Sequence, residues 1–333
     1  MITAVPMIVI HTDVKGLVLI NGRPSGNAGG ALSLPAASFG DVFITVLPEG
    51  EFLPCSVKLS FNAGAPLLED CEFEHIVWPD GISEIFIKCL PIKAVLPWEK
   101  IDSIISDGIE YALYKGSGLK LRAQSTEYDQ NLFTYDIKDG LTGSVRELSS
   151  PLPCVGLLCD IEGGKQRLIL LKNEGDEIKL LADESGTKLR IESRQLLCRD
   201  DLYDIMGHIK LTALSEDSGR LKKTQEEFTV LEKPSQLDHT DTALALAQAV
   251  SLGLEEEAMG YLSESYANDL DFTMLSAFLG DFERVEKARY CPGINAGAVI
   301  ALIKNSAKNA YTASVYAFEF ENDKISLIKR YEG

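Results

Sequence analysis

With 333 residues, 45% of them hydrophobic and 25% charged, the chain has the make-up of an ordinary globular protein and enough length for two or three cores. Its formal net charge of -18 argues against nucleic acid and anionic membranes as partners, since both are bound through Lys and Arg. No run approaches the roughly 18 to 20 apolar residues of a membrane-spanning helix. The start, "MITAVPMIVIHTDVKG", lacks the basic and small-residue marks of a signal peptide and reads as a first strand, which points to a cytoplasmic chain.

Residues 1–95 hold short β-type runs, among them "MIVIHTDV", "GLVLING", "DVFITVL", "CSVKLSFN" and "SEIFIKCLPI", spaced by turn residues. Val, Ile and Phe in alternation predict an antiparallel sandwich. The segment "NGRPSGNAGG", residues 21–30, carries the glycines of a phosphate loop without its Gly-Lys-Ser/Thr ending or a following helix, and is expected to be a flexible surface loop. A boundary is expected at "PIKAVLPWEK", where two prolines interrupt the pattern. Trp78 and Trp98 flank it and are expected in the core.

From 96 to 235 the chain is again β-rich. Successive runs are joined by "EGGK", "NEGD" and "DESG", the tight links of an up-and-down meander, and the expectation is a second sandwich or a barrel. Within it, Cys154 and Cys159 in "CVGLLC" should point to opposite faces of one strand. The seven cysteines are dispersed, with no C-x-x-C pair, and suit reduced thiols better than a disulfide framework.

Over 236–333 the period changes. "LDHTDTALALAQAV" predicts a helix stopped by Gly253, "EEEAMGYLS" a second with three carboxylates in its first turn, and "DFTMLSAFLG" a third. Strands follow, closing on the hairpin "YAFEFENDKISLIKRY". With Asn322 and Asp323 as its turn, Phe318 should face Leu327 and Tyr316 should face Lys329. Helices followed by an antiparallel sheet define an α+β layer arrangement. The fold expected overall is multi-domain: 1–95 a β-sandwich, 96–235 a second β domain, and 236–333 an α+β roll.

The helical run "EEEAMGYLSESYANDLDFTMLSAFLGDFERVE", the strands after it and the final hairpin make this last segment resemble the nuclear transport factor 2-like superfamily, a cystatin-like α+β roll. The resemblance implies a cone of curved sheet around helices, used by some members for isomerase or dehydratase chemistry and by others for binding or dimerisation. After His239 the segment holds no histidine, so a carboxylate base would fall to Asp281 or Glu283, with Tyr261, Tyr290 and Tyr316 lining the pocket.

The remaining chemistry is thin. His11, His75, His208 and His239 lie far apart, and no metal-ligand spacing, nucleophile elbow, Walker loop or dinucleotide fingerprint occurs, so no metal or cofactor is expected. The leading expectation is a noncatalytic binding or assembly protein, taking a small apolar ligand, a peptide, a protein partner or a second copy of itself. The alternative is an isomerase or hydratase using a carboxylate in the cone.

Overall fold

The computed structural model describes residues 7–35, 41–60, 65–69, 72–89, 97–128, 130–149, 151, 153–175, 177–192, 194–217, 220–230, 234, 236–289, 294, 296–307 and 309–331. The protein is mostly β, with several antiparallel sheets and four helices. Nine strands come first: β1 (Met7–Thr12), β2 (Gly16–Ile20), β3 (Arg23–Ala28), β4 (Ala31–Pro35), β5 (Asp41–Pro48), β6 (Cys55–Ser60), β7 (Ala65–Glu69), β8 (Glu72–Val77) and β9 (Ser83–Lys88). Twelve more follow: β10 (Glu99–Ser106), β11 (Ile109–Lys115), β12 (Leu119–Ser125), β13 (Asn131–Ile137), β14 (Gly140–Leu148), β15 (Cys154–Ile161), β16 (Lys165–Asn173), β17 (Ile178–Gly186), β18 (Lys188–Glu192), β19 (Gln195–Asp201), β20 (His208–Asp217) and β21 (Arg220–Val230). The helices are α1 (His239–Ser251), α2 (Glu255–Gly260), α3 (Glu264–Asp269) and α4 (Phe272–Leu279), and β22 (Arg284–Lys287), β23 (Ala298–Ala307), β24 (Ala310–Glu321) and β25 (Lys324–Tyr331) end the chain.

These elements form two compact units, residues 1–92 with 235–333, and residues 93–234. The two ends of the chain join through one strand. One edge of β24 is covered by β23, and the other is divided between β25 and β8, which pairs in parallel through Ala310 with His75, Tyr311 with Ile76 and Thr312 with Val77. The result is an eight-stranded sheet drawn from both ends, in the order β22-β23-β24-β8-β9-β1-β4 with β25 beside β24.

Alternation on β9 serves two cores at once. Ile85 and Ile87 join Ile8 and Ile10 against Val18, Ile44 and Val57 of the five-stranded sheet β3-β2-β5-β6-β7. Phe86 turns to the opposite face, where Ile76, Trp78, Ala301, Ile303 and Val315 from both chain ends form a second cluster. Each such fully buried aliphatic is worth about 1.5–3 kcal/mol, so joining the ends is driven chiefly by apolar burial.

The segment 21–30 is a hairpin, not a flexible loop. Asn21 and Gly22 adopt positive φ of 50° and 76°, the mirror-image turn that joins β2 to β3. Pro24 is tolerated because β3 is an edge strand.

Residues 93–234 form neither a two-sheet sandwich nor a closed barrel, but three four-stranded meanders, β10–β13, β14–β17 and β18–β21. The middle sheet has two buried faces. Leu157, Cys159, Ile169 and Leu171 pack with Leu113 and Leu121 of the first sheet, while Leu168, Leu170 and Ala182 pack with Leu189, Leu196 and Leu214 of the third. This explains the unbroken apolar run Leu168–Leu171, since a strand buried on both sides has no polar face to present. Cys154 and Cys159 do lie on opposite faces of β15. Trp78 is buried, but Trp98 is 43% exposed, with the Lys120 ammonium 4.2 Å from its ring centre.

Among the described residues the C-terminal helices number four; α3, "ESYAND", escapes the periodicity because none of its residues is buried. Helix α1 is buried almost all round, from Thr242 through Ala247 and at Ala249 and Val250, since its alanines allow α2, α4, β22 and β23 to approach. In the last hairpin Asn322 and Asp323 do form the turn, at φ 48° and 62°. A bulge after Phe320↔Ile325 then shifts the register by one, so that Phe318 faces Ile328, and Tyr316 faces Arg330. Ile328 is therefore buried, and Leu327 only partly.

Candidate functional site

The residues expected to line a pocket in the C-terminal segment do different work. Tyr316 is fully buried, and its hydroxyl donates to the carbonyl oxygens of Phe278 and Leu279 at 3.1 and 3.4 Å. Lys304 Nζ donates to the Leu279 oxygen at 3.1 Å, and Gly280 leaves the helix at φ 66°. Together they satisfy the orphan carbonyls at the end of α4. Burial pushes the Tyr316 hydroxyl up and the Lys304 ammonium down from their usual pKa values. Tyr261 bonds elsewhere: its hydroxyl donates to Glu257 at 2.9 Å, and its carbonyl accepts from the Ile325 amide at 3.0 Å. Asp281 and Glu283 are exposed, and Tyr290 lies outside the described residues.

Two polar clusters were not foreseen. In the unit built from the chain ends, Glu84 is fully buried on β9 and acts only as acceptor. Its Oε1 receives His11 Nε2 at 2.7 Å and Arg289 Nη1 at 2.9 Å, and its Oε2 receives Trp78 Nε1 at 3.0 Å. The His11 ring stacks on Phe86 at 4.4 Å, and the Arg289 guanidinium lies over Phe86 and Trp78. Arg284 adds a two-pronged pair to Glu74 at 3.0 and 2.8 Å, and Tyr331 donates to Asp80 at 3.2 Å. The contacts of Arg289, Arg284 and Tyr331 tie the C-terminal segment to the N-terminal one, which is a stapling geometry.

The second cluster joins two meanders. Arg167 of β16 grips Asp183 of β17 with Nε and Nη2, both at 2.7 Å, while Tyr135 of β13 donates to Asp183 and accepts from Arg167 at 3.1 Å. The Arg167 hydrogen bonds hold the Asp183 carboxyl below its usual range, and the bond to Asp183 raises the Tyr135 hydroxyl. A phenol held in its protonated form by a carboxylate is a poor acid, so this cluster is structural too.

A recognition geometry occurs around β18. The third meander covers only part of the middle sheet and leaves a groove of about 300 Å³ beside this short edge strand. Its walls are Leu148, Leu158, Leu168, Leu189 and Ile191, with Leu158 38% exposed. Pairing sets Arg146 opposite Gly156 and Ser144 opposite Leu158, which places one guanidinium on the apolar floor's own face. Among the described residues Arg190 pairs with Glu192 at 3.3 Å and Arg146 has no ion pair. The outer face of the same meander carries a second concavity of about 310 Å³, to which Lys188, Arg190 and Arg199 contribute. Four cations thus surround a five-residue strand in a chain of net charge -18. The edge itself is partly closed, because Gln166 Oε1 accepts from the Leu189 amide at 3.2 Å. The sequence pattern does not reveal it: the walls come from four strands, and the alternation of β14 marks only one of them.

No protein-family model matches the chain, and no curated protein shows a significant match to it. Among the described residues no group of three or more His, Cys, Asp or Glu is placed to hold a metal ion, and no helix is long and apolar enough to cross a membrane.

Proposed function

We propose that the protein is a noncatalytic binding protein whose site is the groove beside β18, and that its ligand is a small amphipathic carboxylate. The observation that carries this reading is an apolar floor of leucines and isoleucine with Arg146 and Arg190 at its margin. Ligand sites are usually apolar concavities with a few polar groups that fix orientation, and about 300 Å³ is the small end of their range. A guanidinium binds a carboxylate through two parallel hydrogen bonds, while the ligand's tail displaces water from Leu148, Leu158 and Leu168. An added peptide strand is disfavoured, because the Leu189 amide already has Gln166 as its partner.

The likeness of 238–333 to a nuclear transport factor 2-like roll stands beside this as a proposal, supported by four helices that precede four antiparallel strands. Its role in this reading is structural, since the Tyr316 hydroxyl is occupied by α4 carbonyls and Asp281 and Glu283 face solvent. No observation favours the isomerase or hydratase alternative, or self-association through this sheet.

Calorimetric titration with decanoate and with decanol tests the reading. Decanoate should bind, decanol at least about tenfold more weakly, and Arg146→Glu should cost decanoate affinity by about the same factor, ~1.4 kcal/mol, without lowering the thermal midpoint. Equal binding of acid and alcohol, or unchanged affinity in Arg146→Glu, refutes it.

A further inference from the structure

The geometry points to a covalent site in the other unit: Cys55 and Cys89 close into a disulfide that joins its five-stranded sheet to its eight-stranded one. Their sulfur atoms lie 3.2 Å apart, and both side chains are buried in the core shared by those sheets. A disulfide requires an S–S distance of about 2.05 Å, so closure asks for a movement of roughly 1 Å. Cys55 is the first residue of β6 in the five-stranded sheet, and Cys89 directly follows β9 in the eight-stranded one. Strand ends open more readily than strand centres, which gives an oxidant access to an otherwise closed pair. The Cys89 amide is held by Asp13 Oδ1 at 3.0 Å, which keeps the residue at this rim of the sandwich.

The oxidant is a small-molecule disulfide such as oxidised glutathione. The thiolate of one cysteine attacks it, forming a mixed disulfide and releasing one glutathione thiolate. The second cysteine, deprotonated, then attacks the protein sulfur of that mixed disulfide and expels the second glutathione thiolate. Two protein thiols lose two electrons and two protons, and the glutathione disulfide is reduced to two thiols. The other described cysteines lack such a neighbour: Cys154 and Cys159 sit on opposite faces of β15, and burial pushes the Cys154, Cys159 and Cys198 thiols up to about 11, 11 and 12. The new bond would close a loop across a sequence separation of 34 residues, restricting the unfolded chain and raising stability.

The full-length protein is incubated with oxidised glutathione in urea below its unfolding transition, alkylated with iodoacetamide, and digested without reduction. A peptide pair linking Cys55 to Cys89 is expected, with a thermal midpoint that rises and returns on reduction with dithiothreitol. Cys71→Ser should retain both effects, and Cys55→Ser should lose both. If Cys55→Ser does not fold, the wild-type peptide map decides alone. Alkylation of both residues, a link from either to Cys71 or another cysteine, or arrest at glutathione adducts overturns the assignment.

Discussion

The unit built from the chain ends and the unit formed by 93–234 reach stability by opposite routes. The first depends on contacts remote in sequence: Arg289 with Glu84 across 205 residues, Arg284 with Glu74 across 210, and Tyr331 with Asp80 across 251. The second is a row of meanders in which almost every strand pairs with its neighbour in sequence. Charge divides unevenly as well. Of the 32 Lys and Arg residues, 20 lie in 93–234, whereas the 50 Asp and Glu residues divide equally between the units. The acidity thus accumulates where carboxylates collect the ties between chain ends, and the cations gather where the groove is. One unit is organised by closure, the other by local pairing, and the groove proposed as a binding site falls on the second.

The strongest way to break this contrast is to remove the buried carboxylate. Glu84→Ala leaves Arg289, His11 and Trp78 without their shared acceptor, a loss of about 3–5 kcal/mol for a buried ionic centre. Hydrogen exchange should show loss of protection in 1–92 and 235–333 together, with 93–234 unchanged. Loss confined to the N-terminal segment would contradict the joint folding of the ends.

Acid should act on the same unit. His75, 4% exposed where β8 meets β24, is held neutral by burial, its pKa lowered to about 4. The unfolded chain takes up that proton near 6.5, so the unfolded state binds more protons between these values. Stability is therefore complete above pH 6.5 and falls by up to about 3 kcal/mol as pH drops to 4. His75→Gln should flatten that part of the profile measured by urea unfolding, and an unaltered slope would contradict it.

A smaller effect is expected in the meanders. Arg167→Met breaks the contacts with Asp183 and Tyr135, but the pair is partly exposed, so the cost should be about 1–2 kcal/mol. Protection should fall in 93–234 alone.

The sequence reveals the local half of this architecture far better than the remote half. Alternation and tight turns mark the strands of the meanders, and Asn322-Asp323 marks the last hairpin. The same logic applied to Asn21-Gly22 yields β2–β3, whereas the glycine content of 21–30 suggests a flexible loop. The bulge in β24–β25 leaves no trace in the alternation, which is why simple pairing from the turn sets Leu327 and not Ile328 opposite Phe318. The strand pairing that joins the chain ends is three parallel residue pairs between β8 and β24, too short to leave a pattern. The same holds for Glu84, whose partners are 73, 6 and 205 residues away, and for a groove whose walls come from separate strands.

On this division 93–234 should fold by itself and carry the proposed groove, whereas the remainder should fold only with both ends present. Its most direct test is the isolated segment 93–234, followed by urea unfolding and decanoate titration. One cooperative transition and the affinity of the full-length chain are expected. A segment that does not fold, or that folds without binding decanoate while the full chain binds it, would overturn that division.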